Sequence, residues 1–396
     1  MRLLKKMAAT IIATLFAAGI FAQTEIRTAD ELAAIGQDIA SLKGGSYILL
    51  HDITVENWEP LGLLKTSFEG VFNGNGHTIT INSLSSNETK SDSNAPIVAG
   101  LFCEVGKNGV VKNLKITGEI VYNSGTRTLH IGAIAGINLG TIQNCVSTCK
   151  ITTEGGKNNF GRTILTGLAG AAINRVFLYE NGVYAGGLVG LNSGKIENCY
   201  SASHISIDGK GIKCGGGIAG GNGSSEGGTI AQCFATGIVT TIGAGSTGRK
   251  GSHRAAGGIA GLNCSRGFIE NCVALNESLT ARDVSCVVGL NFQFDAGQNP
   301  LRGIIKDSYY QKGILIFSAN GADKDEKATR RAATGKGMEG LPVEMTETQT
   351  QAWWETPKGR RSKFAFAFGT DDDAPWSWSD TEKHPVLSWE HKQGTD

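Results

Sequence analysis

Gly190-Leu191-Asn192-Ser193-Gly194-Lys195-Ile196-Glu197-Asn198-Cys199 has a near copy at Gly136-Ile137-Asn138-Leu139-Gly140-Thr141-Ile142-Gln143-Asn144-Cys145, and this repetition decides the fold. The pattern returns with insertions from Gly220 to Cys233 and from Gly261 to Cys272. Degenerate forms run from Gly100 to Leu114 and from Gly289 to Ser308. A small apolar run leads into each copy, as at Gly187-Leu188-Val189 and Gly258-Ile259-Ala260. Within a unit, Lys195-Ile196-Glu197 and His204-Ile205-Ser206-Ile207 alternate polar and apolar residues, the period of a strand. No helical period runs through the repeats. One short strand pair cannot bury its apolar face, so the units must stack and share a core. Equivalent strands stacked about 4.8 Å apart make an all-β fold, a single parallel β-solenoid.

The 56 glycines among 396 residues are about twice the ~7% of ordinary globular chains. Their recurrence at Gly136, Gly190, Gly220, Gly261 and Gly289 assigns them to corners and close approaches between coils. Seven prolines and no Gly-X-Y period exclude collagen, and 40% hydrophobic residues exclude wholesale disorder. A formal charge of +1 leaves no electrostatic footprint for nucleic acid.

Residues 1–22 read as a secretory signal peptide: basic Arg2, Lys5 and Lys6, an apolar stretch from Ala8 to Phe21, and a small residue, Ala22, at the cleavage end. Its removal takes three positive charges and leaves the mature chain at −2. The first cysteine is Cys103, which argues against a lipid-anchored amino terminus. No other apolar run is long enough to span a bilayer. These features predict export to the periplasm, the outer surface or the medium.

Gly-Gly-Leu-Val-Gly-x-Asn followed by Ile-x-Asn-Cys-Tyr, here Gly186 to Tyr200, resembles the GLUG motif of exported bacterial proteins. The resemblance extends to Trp58-Glu59-Pro60-Leu61-Gly62 and to Phe68 through Ile79 as a first coil. Trp376-Ser377-Trp378 and His384 through Trp389 resemble the family's closing segment. It implies a right-handed β-helix, exported and often adhesin-like. Similar repeats also sit beside the zinc protease domain of some immunoglobulin-cleaving enzymes, but no His-Glu-x-x-His occurs here. The expected organisation is a signal peptide (1–22), a cap and first coil (23–82), the β-helix repeats (83–318), and a charged loop with a Trp-rich cap (319–396).

A solenoid end exposes unpaired edges and needs covering. Thr28-Ala29-Asp30-Glu31 is a capping-box pattern, and Leu32, Ile35 and Ile39 share one helical stripe, which predicts a short helix over Asp30 to Ala40. Tyr47 to Leu50 then starts the sheet. At the other end Trp353, Trp354, Trp376, Trp378 and Trp389 read as a packed cap, with sugar stacking as the alternative.

Cys145, Cys199, Cys233 and Cys272 hold one repeat position and read as an inward ladder of thiols rather than metal or redox chemistry. Disulfides such as one from Cys214 to a neighbouring coil stay open, since export permits them. Asn113, Asn144, Asn198 and Asn271, each preceding that position, read as an amide ladder at a coil corner. Catalytic groups are sparse. Glu197 and Glu270 share a coil position, but Lys112, Gln143, Ala231 and Lys306 hold it in other copies, so no acid pair is indicated. No metal, nucleotide or cofactor fingerprint appears.

Insertions separate into two edges. One lies between the head Asn and the following Ile, as from Asn222 to Ile230. The other follows the cysteine-bearing strands at Glu154–Arg162, Asp208–Lys213, Gly243–Arg254 and Asn276–Asp283. The second carries Lys157, Arg162, Lys210, Lys213, Arg249, Lys250, Arg254, Arg282 and His253 against Glu154, Asp208, Glu277 and Asp283. Such an edge fits an anionic glycan or a host or cell-surface partner, or it simply keeps the rod solvated. The expected function is a non-catalytic, exported adhesion or binding protein without cofactor. A polysaccharide-active enzyme on the same scaffold and a structural envelope component are the alternatives.

Overall fold

The structure is a computed structural model describing residues 23–62, 66–84, 96–156, 162–165, 176–179, 182–224, 226–243, 253–264, 266–291, 303–319, 329–331, 338, 340–356, 364, 366–369 and 374–391. One turn of chain is built from Val183–Gly186, Val189–Asn192, Lys195–Glu197, Tyr200–Ser201 and His204–Gly209. Each strand pairs in parallel, in register, with its equivalents before and after: Val183 stands between Leu129 and Lys213, and Ile196 between Ile142 and Ile230. In coil order these strands make sheet 1 and sheet 2 of six strands each, sheet 3 of nine and sheet 4 of fifteen. The Tyr200 and His204 columns belong to one sheet because the long strand Lys115–Asn123 pairs with both Val146–Ser147 and Lys150–Gly155. This is the parallel β-helix expected.

The core is a set of columns. Phe72, Val111, Ile142, Ile196, Ile230 and Ile269 stack in register on sheet 3 with no exposed surface. Burying one such side chain contributes about 1.5–3 kcal/mol, and alternation puts its neighbours Lys195 and Glu197 outside. Sheets 1 and 2 meet more closely. A Cβ at Gly190 would stand 2.4 Å from Ile131 N and 2.7 Å from Gly136 O, and Gly220 and Gly261 face Ala185 N and Gly215 N in the same way. The recurring glycine thus lets one backbone lie against another.

At the amino end, sheet 3 starts earlier than the sequence indicated, with Thr24–Ile26 beside Ser46–Leu49. The expected helix is two: α1 (Ala29–Ala34), with Thr28 accepting from Glu31 N, and α2 (Ile39–Gly44), with Asp38 accepting from Ser41 N at 2.8 Å. Asp38 starts a new helix because its carboxylate satisfies the otherwise unpaired amide of Ser41. The break turns Ile39 out to 64% exposure while Leu32 and Ile35 stay buried.

At the carboxy end, Leu341–Val343 adds a parallel strand to sheet 4 beside Tyr309–Gln311. The chain then passes through α3 (Met345–Thr348), α4 (Gln351–Glu355) and an antiparallel hairpin, Trp376–Ser379 with His384–Leu387. This Trp-rich segment packs Trp353, Trp354 and Trp376 on the outer face of sheet 4, against Tyr200, Phe234, Val273 and Tyr309. Tyr200 and Phe234 stack at 4.8 Å with planes 1° apart. Trp354 and Trp376 have no exposed surface, so they pack rather than present stacking platforms. The segment ends where Trp389 Nε1 donates to Asn144 O and the Tyr200 hydroxyl donates to Glu390 Oε2 at 2.8 Å.

Candidate functional site

The loops fall at two corners. Between sheets 4 and 1 the connections are residues 124–128, 156–182, 210–212, 242–253 and 282. Between sheets 2 and 3 they include residues 106–109, 139–140, 193–194, 223–227 and 264–266. The largest insertion at the first corner contains an antiparallel pair, Arg162–Leu165 with Val176–Tyr179. A corner tolerates such insertions because coil-to-coil pairing on either side does not depend on loop length.

The basic residues assigned to that corner are not equivalent. Lys157, Arg249 and Lys250 lie outside the described residues, as does the side chain of Arg162. Lys210 and Arg282 are exposed, and half-buried His253 faces Asp283 Oδ2 at 3.3 Å. Lys213 and Arg254 correct the sequence reading, because both are buried rather than displayed. They continue the inward column Leu129–Val183 on sheet 1. Their long side chains reach back to the corner: Lys213 Nζ donates to Gly209 O (2.8 Å) and Gly211 O (3.2 Å), and Arg254 Nη1 to Gly243 O (2.8 Å). They close loop carbonyls and shape the edge from inside.

Burial, then the neighbouring Arg254 charge, pulls the Lys213 ammonium down from 10.5 to about 8. Below pH 8 the folded and unfolded chains both hold this proton, and the fold bears a buried charge. Between about 8 and 10.5 the unfolded chain binds more protons, so this group favours folding increasingly as pH rises. Urea unfolding of the wild type against Lys213→Met is expected to show the wild type gaining up to about 3 kcal/mol relative to the variant from pH 7 to 10.5. Parallel pH curves would contradict the buried-charge account.

Cys145, Cys199, Cys233 and Cys272 have no exposed surface, and each thiol donates to the carbonyl two residues earlier: Gln143, Glu197, Ala231 and Glu270, at 3.1–3.2 Å. Ser308 takes the same place in the last copy, its hydroxyl donating to Lys306 O at 2.9 Å. All nine cysteines, Cys214 included, are buried thiols. Burial pushes the Cys199 and Cys272 thiols up, and Cys149 and Cys264 to about 12, which suppresses the reactive thiolate.

The asparagines divide differently from expectation. Asn113, Asn144, Asn198 and Asn271 sit at φ between +51° and +53°, a left-handed corner that short amide side chains tolerate. Their amide contacts run from Asn113 to Asn73 (3.1 Å) and from Asn144 to Asn113 (3.3 Å). The longer buried ladder uses the other repeated asparagine: Asn138 donates to Asn192, Asn192 to Asn222 and Asn222 to Asn263, at 2.8–2.9 Å. The head Gly-x-Asn of each copy was the available signal.

Three acids on the repeats are tied to lysines: Glu119 to Lys150 at 2.7 Å, Glu197 to Lys195 at 2.5 Å and Glu270 to Lys306 at 3.9 Å. Ala231 separates Glu197 from Glu270 in their column. Among the described residues no group of three or more His, Cys, Asp or Glu converges as a metal cluster. A cleft of about 480 Å³ opens between α1 and residues 54–62, with Ala33, Val55, Trp58 and Leu61 as apolar lining and exposed Asp30, Glu56 and Glu59. Trp58 is fixed by its indole nitrogen donating to Leu101 O at 3.0 Å.

Residues 181–206 match the family model of the GLUG motif. The chain is 41% identical over 90 residues to a protein of Evansella cellulosilytica provisionally named a Gly-rich membrane protein, covering 22% of this chain and 9% of that one. It is 33% identical over 144 residues to halomucin of Haloquadratum walsbyi, covering 34% of this chain and 1% of the relative. The chain therefore spans a tenth or less of the curated relatives' length. A crystal structure from Bacteroides ovatus, provisionally described as an immunoglobulin A1 protease, superposes with a TM-score of 0.58 over 93% of this chain and 92% of its own, at 20% identity. That likeness concerns the fold. The chain is thus a parallel β-helix of stacked glycine-, asparagine- and cysteine-bearing coils, one of which, residues 181–206, carries a GLUG motif.

Proposed function

We propose that this is an exported, non-catalytic binding protein that presents recognition loops from the sheet 4–sheet 1 corner of a rigid rod, with glycans or host and cell-surface polymers as its ligands. The observation that carries this reading is the contrast at that corner. Strand register is constant from coil to coil, while the connection varies from the single residue 282 to residues 156–182. Variable loops on an invariant scaffold are the usual way a repeat fold acquires recognition. Exposed Lys210 and Arg282, and in sequence Lys157, Arg249 and Lys250, give the edge its basic character, suited to many weak contacts with an anionic chain. The basic and apolar leader and the surface-type names of two relatives support export.

The test is an array of glycans and matrix proteins probed with the mature chain. A second protein has residues 157–181 replaced by a turn as short as residues 210–212. Binding without turnover, abolished by the replacement and weakened several-fold by Arg249→Glu with Lys250→Glu, is the expected result. Retained binding in the shortened protein, or cleavage of a bound polysaccharide, would overturn the reading.

A further inference from the structure

Glu104 breaks a column. Strand register sets it beside Ile137, followed by Leu191, Gly221, Leu262 and Leu290. A carboxyl group in a column of Ile, Leu and Gly is a local violation of the repeat, the kind expected at functional or strained positions. Glu104 is 5% exposed, and its Oε1 is buried with no hydrogen-bond partner. Phe68 bridges Val105 and donates its amide to Glu104 O at 2.9 Å, which brings Ser67 and Glu69 alongside. A second carboxylate is therefore held here. Glu69 Oε2 accepts from Asn108 N at 2.9 Å, and Oε1 from the Ser67 hydroxyl at 3.2 Å. Gly106 keeps this space open, since a Cβ there would stand 2.4 Å from Glu69 Oε1 and 2.6 Å from Ser67 Oγ. Among the described residues neither carboxylate forms an ion pair, and two neighbouring acids, one of them buried, must take up either a proton or a cation.

We propose that Glu104 and Glu69, with the Ser67 hydroxyl, bind a calcium ion at the amino-terminal end of the solenoid. The donors are all hard oxygens, and carboxylates of adjustable denticity plus water meet calcium's six to eight positions, whereas magnesium demands a stricter octahedron. Two carboxylates place the affinity in the weak range of extracellular modules, a dissociation constant of about 0.1–1 mM. The ion ties the segment around Phe68 to the strand Phe102–Val105, joining the first coils. This assignment does not depend on the proposed binding function.

The chelator-treated mature chain is unfolded in urea with and without 10 mM CaCl2 at constant ionic strength. Calcium is expected to raise the folded-to-unfolded ratio about 10- to 100-fold. Glu104→Gln, which keeps the shape and removes the charge, loses that gain, and Glu69→Gln loses most of it. Direct calorimetric titration of calcium into the wild type and Glu69→Gln gives the same comparison if Glu104→Gln does not fold. No calcium-dependent gain in the wild type, a full gain in the variants, or an equal gain with 10 mM MgCl2 overturns the assignment.

Discussion

Gly190→Ala is expected to cost at least about 3 kcal/mol in urea unfolding, at the severe end for one added methyl group. The new Cβ would fall 2.4 Å from Ile131 N and 2.7 Å from both Gly136 O and His130 C, all backbone atoms of strands fixed by pairing on both sides. Relief would require separating sheets 1 and 2 over neighbouring coils. Removing glycine from the unfolded chain returns only about 0.4–1 kcal/mol, too little to compensate. Gly44→Ala is the control. It lies at the end of α2 with nothing within 4 Å of the added Cβ, so it is expected to be neutral or slightly stabilising. If the two substitutions cost the same, close backbone approach is not what the repeated glycine supplies.

The second large effect falls on the amide ladder. Asn192→Leu keeps volume but removes the donor to Asn222 Oδ1 (2.8 Å) and Thr229 O (3.1 Å), and the acceptor of Asn138 Nδ2 (2.8 Å). Each buried group left unsatisfied costs about 1–3 kcal/mol, so a loss of about 3–5 kcal/mol is expected. Asn198→Gly, at the other repeated asparagine of the same coil, is expected to change stability by less than about 1 kcal/mol. Glycine adopts φ +51° without strain, which is the main demand of that corner. Equal losses at Asn192 and Asn198 would argue against the distinction between ladder and corner.

These contrasts show what was legible beforehand. The stacked isoleucines, the thiol column and the Thr28 cap follow from local rules of period and spacing and are in place, though Glu31 accepts from Arg27 N and so leaves the capping box half made. The two repeated asparagines could not be ranked, because recurrence alone does not distinguish a backbone conformation from a buried hydrogen bond. Lys213 and Arg254 looked like loop cations because they stand at the ends of insertions, where a linear pattern cannot place the start of the next strand. That long side chains fold back on corner carbonyls depends on geometry absent from a linear pattern. Glu104 gave no signal, since it stands in a degenerate copy without a repeating neighbour.

The route of residues 341–391 also bears on how the solenoid is assembled. A solenoid grows by local stacking, each coil completed soon after it is synthesised. Here the outer face of sheet 4, with Tyr200, Phe234 and Tyr309, gains its cover only when the Trp-rich segment arrives. Tyr200 then meets Glu390 across 190 positions of sequence. Until residues 353–390 emerge, the stacked coils carry an uncovered aromatic stripe, the kind of surface that recruits chaperones or self-associates. A chain truncated before Trp353 is therefore expected to keep its stacked coils while leaving that aromatic flank bare.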